Sequence, residues 1–205
     1  MDVKLRYIEN LSLAVKNLDS KLLDQLENEI VKRIDSNKSI YIIGNGGSAA
    51  NAHHIAGDYL KSLSILGHRL NISCPSDNIC SITALANDVD YSQVYEIFVK
   101  SVCLEGDLLI TLSGSGNSTN LVKAALAAKI KGMTVCTLTG YTGGSLKKIG
   151  QVNLHFDVMD MEIAEDCQLI IFHILKQVIV DKHKDQENKV FSDRYEKRVI
   201  EDLTA

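Results

Sequence analysis

The chain has 205 residues, 45% of them hydrophobic, which suits one domain with a single large core and excludes a disordered or fibrous protein. Its 22 basic and 26 acidic residues give a net charge of −4 without a basic patch, so we expect no nucleic-acid ligand. The N-terminus lacks a signal-type apolar core and no apolar stretch approaches the roughly 20 residues of a membrane span, so we expect a soluble, cytoplasmic protein with no membrane partner.

Two amphipathic helices are predicted at the N-terminus, over residues 3–17 and 19–37. Apolar residues recur at helical spacing in both, and Asp19 and Ser20 between them are typical of a helix N-cap. We therefore expect residues 1–37 to form a helical hairpin that belongs to the same domain as the rest.

Strands and helices alternate after the hairpin. Strands are predicted over 39–43, 69–73, 107–111, 133–138 and 152–156, and helices over 48–63, 78–87, 91–103, 118–131 and 161–181. This alternation is typical of βαβ units around a parallel sheet, so residues 38–181 are predicted to form one α/β domain. Residues 182–205 are rich in charge, and we expect a solvated tail or an oligomer-docking helix there.

Two loops that contain glycine and serine follow two of the predicted strands: GNGGSAAN from Gly44 and SGSGNSTN from Ser113. Ligands of a parallel sheet collect at the carboxyl ends of its strands, where backbone N–H groups and a positive helix N-terminus can bind a phosphate. The first loop lacks the Lys-Ser/Thr of a P-loop and the spacing of a GxGxxG fingerprint, so a dinucleotide is not the expected ligand.

Together with GMTVCTLTGYTGG and a late helix that contains HIL, these loops resemble the SIS (sugar isomerase) domain, most closely the phosphoheptose isomerases, over residues 5–180. The resemblance implies a three-layer αβα fold with a five-stranded parallel sheet and a homotetramer with active sites at subunit interfaces. It also implies an aldose–ketose isomerase that interconverts D-sedoheptulose 7-phosphate and D-glycero-D-manno-heptose 7-phosphate through a cis-enediol. That reaction would begin nucleotide-activated heptose biosynthesis for lipopolysaccharide or capsule.

The resemblance also implies which residues bind the substrate. Sugar contacts are expected from Asn45, Gly46, Gly47, Ser48, Asn87, Asp88 and Glu165, and phosphate contacts from Ser113, Gly114, Ser115 and Ser118. The family usually has Ser-Thr-Ser in the phosphate loop. Gly114 replaces the threonine here, which removes one hydroxyl donor but keeps the backbone N–H.

Four residues on two predicted helices are expected to carry the chemistry: His54, Asp58, Glu165 and His173. His54 and Asp58 are four apart and share a helix face, whereas Glu165 and His173 are separated by a rise of roughly 12 Å. The resemblance implies that the four positions hold Zn²⁺ and supply the acid/base pair, although the family has Glu and Gln where this chain has Asp58 and Glu165.

We predict Asp58 as the base and His173 as the partner acid/base. His54 and Glu165 are then metal ligands or orienting groups, and Glu165 as the base is the alternative. Two histidines and two carboxylates suit Zn²⁺, and the same set would accept other divalent ions.

Three other functions stay open. A non-catalytic SIS tetramer could serve as a protein-binding platform of the replication-initiator-associating type, but those relatives lack the histidine at the position of His173. Sugar-phosphate-sensing regulators carry an N-terminal DNA-binding domain, for which 37 residues are too few. An isomerase of another phosphosugar, such as arabinose 5-phosphate or a hexosamine phosphate, is the nearest enzymatic alternative.

Overall fold

One parallel sheet organises residues 2–183, the part of the chain that the computed structural model describes. Its strands are β1 (Ser39–Gly44), β2 (Asn71–Ser73), β3 (Leu108–Ser113), β4 (Thr134–Thr139) and β5 (Val152–His155). They pair in the order β2-β1-β3-β4-β5, and every pair is parallel. The predicted five-stranded parallel sheet is confirmed. The charged tail was predicted over residues 182–205, of which residues 184–205 lie outside the described part of the chain.

Eight α-helices connect or flank the strands of this described region. They are α1 (Val3–Lys16), α2 (Ser20–Asp35), α3 (Gly46–Ile65), α4 (Ile79–Leu85), α5 (Val94–Val102), α6 (Thr119–Ile130), α7 (Leu146–Ile149) and α8 (Met161–Lys182). The Asp19 side chain caps α2, as predicted, by accepting a hydrogen bond from the backbone N–H of Lys21 at 2.9 Å. Between residues 2 and 183 there is no helix with the length and apolarity that crossing a membrane requires.

The segment between α4 and α5 differs from the helices predicted over 78–87 and 91–103. A π-helical turn spans Ala86–Asp90 and a 3-10 turn spans Tyr91–Gln93. Asp90 causes the break because its backbone is extended and its carboxylate accepts a hydrogen bond from the N–H of Ser92 at 2.7 Å. Such a side-chain cap starts a new helical turn and ends the preceding one.

The sheet has a hydrophobic core on each of its two faces, because successive side chains of a strand point to opposite sides. Ile40 and Ile42 of β1 belong to the core formed with α1, α2, α3 and α8. Tyr41 and Ile43 belong to the core formed with α5, α6 and α7. The three-layer αβα arrangement is thus confirmed, and the N-terminal hairpin shares a core with the sheet.

The loops that follow β3 and β4 are tied together at the carboxyl edge of the sheet. Gly116 has a φ of +68°, and a Cβ placed on it would lie 2.0 Å from the carbonyl oxygen of Gly143. The Gly116 carbonyl also accepts a hydrogen bond from the N–H of Leu146 at 3.0 Å. The second loop therefore depends for its shape on close backbone contact that any side chain at position 116 would disrupt.

We expect Gly116→Ala to lower the free energy of unfolding by about 2 kcal/mol or more, because alanine adds both the clash and a strained backbone conformation. Gly57→Ala is the matched control, since a Cβ at this helical position meets no atom within 4 Å. Replacing a glycine inside a helix should raise the free energy of unfolding by up to about 1 kcal/mol. Urea unfolding followed by circular dichroism measures both, and equal stability of Gly116→Ala and wild type would contradict the argument.

Candidate functional site

A cavity of about 270 Å³ lies at the carboxyl edge of the sheet, between the loops that follow β1 and β3. It is lined by Asn45, Gly46, Gly47, Ser48, Leu112, Ser113, Gly114, Ser115, Ser118, Leu121, Met161 and Glu165. All eight residues predicted from the two loops line this cavity, together with Glu165. The structure thus brings together most of the predicted substrate-binding residues.

The register of the sheet explains why the two loops meet. Gly44 of β1 lies opposite Leu112 of β3, so the two adjacent strands end at the same level. Each loop leads directly into a helix, α3 at Gly46 and α6 at Thr119. The free N–H groups and positive ends of both helices therefore lie at the same edge, where they favour an anion.

In the serine loop, which follows β3 and runs from Ser113 to Ser118, backbone N–H groups hold two of the hydroxyl oxygens in place. Ser113 Oγ accepts a hydrogen bond from the N–H of Gly116 at 3.1 Å, and Ser115 Oγ accepts one from Asn117 at 3.2 Å. Ser118 begins α6 without forming a side-chain capping bond. Since a hydroxyl that accepts a hydrogen bond still carries its own O–H, these serines can donate to a bound phosphate.

Tyr95 fixes the end of β1 next to the cavity. Its hydroxyl donates a hydrogen bond to the carbonyl oxygen of Gly44 at 2.8 Å. Burial raises the pKa of Tyr95 to about 12, so this donor stays protonated at neutral pH. A Cβ on Gly44 would lie 2.7 Å from the backbone of Ser48, so α3 can begin this close to the strand only after glycine.

A pair of asparagines links the first loop to α6. Asn45 and Asn120 exchange two side-chain hydrogen bonds, each of 2.9 Å, and Asn120 is 3% exposed. The Tyr91 hydroxyl also donates to Asn45 Oδ1 at 2.9 Å. Sequence reasoning missed Asn120 and Tyr91; the signal for Asn120 is an amide in the first turn of the helix after the serine loop.

Asn87 and Asp88, two of the predicted sugar-binding residues, are not among the residues that line the cavity. They are exposed on the π-helical turn, and the Asn87 side-chain amide donates to the Asp88 carboxylate at 2.8 Å. The structure does not bring this pair together with the two loops.

Glu165 of α8 reaches the cavity because residue 47 is glycine. A Cβ on Gly47 would lie 2.2 Å from Glu165 Oε2, so the carboxylate occupies the space that a side chain would fill. Gly47 is in the first turn of α3, where the positive helix end favours a negative group. The Asn51 amide fixes the backbone of α8 here by donating to the Glu165 carbonyl at 2.9 Å.

Met161 explains how the structure accommodates glycine at position 114. A Cβ on Gly114 would lie 2.2 Å from the Met161 sulfur, so methionine fills the space that a threonine side chain would need. Sequence reasoning missed Met161, which lies at the start of α8, far along the chain from the loop it contacts.

Three of the four predicted metal ligands form a cluster between α3 and α8. The Nε2 atoms of His54 and His173 are 3.0 Å apart, and one ligand atom from each of His54, Asp58 and His173 lies within 4.8 Å of the others. Two nitrogens bound to one tetrahedral Zn²⁺ are about 3.3 Å apart, so the donor set fits such an ion and leaves a position open.

Glu165, the fourth predicted ligand, is not in the three-residue group that the described part of the chain offers to one metal ion. Its carboxylate contacts Gly47 at the cavity instead. The reason is the spacing along α8, where eight residues separate Glu165 from His173 by roughly two turns.

Lys176, which sequence reasoning missed, contacts this cluster. Its ammonium forms an ion pair with Asp58 Oδ2, and the two side chains are 23% and 20% exposed. Lys176 is three residues after His173 on α8, so the two share a helix face. Asp58, the predicted base, is therefore held by a cation.

The other histidines lie outside the cluster. His53 Nε2 lies 2.8 Å from Ser76 Oγ. The rings of His68 and His183 pack edge to face, with their centroids 4.7 Å apart. His155 contacts Thr139, and burial lowers the pKa of His155. These four histidines therefore make structural or surface contacts away from the candidate metal ligands.

Comparison with known proteins identifies similar sequences and folds. The SIS domain family matches residues 5–140. The chain is 30% identical over 188 residues to a probable phosphoheptose isomerase of Thermoplasma acidophilum, covering 89% of this chain and 100% of that protein. It is 31% identical over 175 residues to a phosphoheptose isomerase of Helicobacter pylori, covering 84% and 91%. The solved structure of the phosphoheptose isomerase from Neisseria gonorrhoeae superposes with a TM-score of 0.78 at 26% identity, covering 85% and 93%.

Proposed function

This chain belongs to the SIS-domain family and, within it, to the phosphoheptose isomerases, and on that premise we propose that it interconverts D-sedoheptulose 7-phosphate and D-glycero-D-manno-heptose 7-phosphate. The observation that carries the proposal is that the glycine loop after β1, the serine loop after β3 and the Glu165 carboxylate line one and the same cavity. A phosphosugar needs this combination, because its phosphate and its polar carbon chain must be bound side by side.

The phosphate binds at the serine loop. Ser113, Ser115 and Ser118 supply hydroxyl donors, and the first turns of α3 and α6 add backbone N–H groups. The phosphate is at one end of this substrate, and the reacting carbons C1 and C2 are at the other. The carbon chain can therefore extend from the serine loop along α8, past Glu165 and toward His173.

The isomerisation needs a base that removes a proton from the carbon next to the carbonyl and an acid that protonates the carbonyl oxygen. We assign these roles to Asp58 and His173, with Glu165 as the alternative base. His54, Asp58 and His173 would also hold Zn²⁺, which would supply a Lewis acid to an oxygen of the sugar. A side chain whose lone pair is bound to the ion does not act as acid or base, so with the ion bound Glu165 is the base. Asn120 positions Asn45 for sugar contact through their paired amides.

We further propose a homotetramer with active sites at subunit interfaces. Its support is the number of large apolar side chains that α1 exposes: Val3, Leu5, Ile8 and Leu13 are 56–66% exposed. Burying such residues against a second copy is favourable, and homo-oligomers with closed symmetry are common. We place the protein in the cytoplasm, at the first step of nucleotide-activated heptose biosynthesis for lipopolysaccharide or capsule.

The protein-binding platform is the less favoured function. The relatives with about 30% identity are named as isomerases, and His173, the histidine that the platform relatives lack, is present with its Nε2 3.0 Å from that of His54. An isomerase of another phosphosugar differs only in the sugar, and the assay below distinguishes it.

We expect the purified protein to interconvert the two heptose 7-phosphates and His173→Asn to lower kcat by about 100-fold or more with little change in KM. The reason is that His173 acts on the reacting carbons, whereas the loops bind the phosphate. His68→Asn, outside the cluster, is the matched control and should keep the wild-type kcat. If only a different phosphosugar is turned over, that sugar is the substrate in place of the heptose 7-phosphates. If no C5 to C7 phosphosugar is turned over, the proposal that the protein is an isomerase is refuted.

Light scattering at micromolar concentration should report the mass of four chains. Ile8→Asp should lower that mass because it places a charge among the exposed apolar side chains of α1 that the contact would bury. Ser101→Asp, at an exposed polar position of α5, should leave the mass unchanged. A monomeric wild-type protein would contradict the tetramer.

A further inference from the structure

Lys176 places a positive charge at the candidate metal cluster. Its ammonium is ion-paired with Asp58 Oδ2, and both side chains are about four-fifths covered by protein. The pair crosses from α8 to α3, the same two helices that supply His173 and His54. It is therefore part of the structure around the cluster and not a pair on the open surface.

The charges of the cluster show what this contact does. Asp58 supplies the one carboxylate of the three-residue donor group, and His54 and His173 bind a metal ion only as neutral imidazoles. A divalent ion thus has one negative ligand, and the Lys176 ammonium already neutralises it. An incoming ion must compete with the ammonium for the carboxylate and is repelled by its charge.

We propose that Lys176 competes with divalent metal ions for the Asp58 carboxylate and so lowers the affinity of the cluster for these ions. This inference rests on the proposed function and deepens it, because it concerns the metal affinity of the same site. Metal binding is measured without substrate, so the result does not depend on whether a heptose phosphate is turned over.

The chain offers a matched control on the same helix. Lys182 of α8 forms an ion pair with Glu27 of α2, away from the three metal-ligand candidates. Removing either lysine removes one positive charge and one ion pair from α8. A general effect of charge or helix stability should therefore be the same in both variants, whereas an effect through Asp58 belongs to Lys176 alone.

The test titrates metal-free full-length protein with Co²⁺, followed by visible absorption, and with Zn²⁺ in competition with a chromophoric chelator. We expect Lys176→Met to bind both ions at least about tenfold more tightly than wild type, because the competing charge is gone. Lys182→Met should bind like wild type. Asp58→Asn should bind more weakly, which shows that the ions occupy this cluster.

Lys176→Arg keeps the positive charge and should retain the affinity of wild type, and Lys176→Gln replaces Lys176→Met if the latter does not fold. If Lys176→Met or Lys176→Gln binds the metal ions as tightly as wild type or more weakly, the inference is overturned. So does equal tightening by Lys182→Met, or an absence of metal binding by every variant. Failure of the proposed function would show separately, as a wild-type protein without isomerase turnover.

Discussion

The parallel pairing of β1 with β3 is the constraint on which the rest of the site depends. Gly44 and Leu112 lie opposite each other, so both strands end at one level and release their loops at one point. Both loops turn at once into a helix, and two positive helix ends meet there. A one-residue slip of this register would exchange the faces of β1 and separate the loops.

The packing of α3 against α8 sets the second half of the site. The buried hydroxyl of Tyr59 donates to the Phe172 carbonyl at 2.9 Å, next to His173, and Asn51 holds the start of α8 at Glu165. These contacts fix which side chains of the two helices face each other. Two carboxylates consequently have different surroundings, because Glu165 lies at the cavity against Gly47 and Asp58 is paired with Lys176.

The regular parts of this molecule could be predicted from sequence because periodic burial dictates them. The local pattern of apolar residues predicts strands that are buried on both faces and helices that are apolar on one side. The glycines and serines predict the two loops. Lys176 could not be found this way, since 118 positions separate it from Asp58. Met161 was missed for the same reason, because tertiary packing and not spacing brings it to the serine loop. Asn120 ends the serine motif itself, and what the sequence does not show is its pairing with Asn45, 75 positions away.

The binding of inorganic phosphate to the cavity tests the central claim, that the two loops form a phosphate site, most directly. Isothermal titration should detect phosphate binding by wild type and an affinity about five- to tenfold lower for Ser118→Ala, because one hydroxyl donor is lost. Ser101→Ala, at an exposed position of α5 outside the cavity, should bind like wild type. Absence of phosphate binding, or equal affinities for Ser118→Ala and wild type, would contradict the claim.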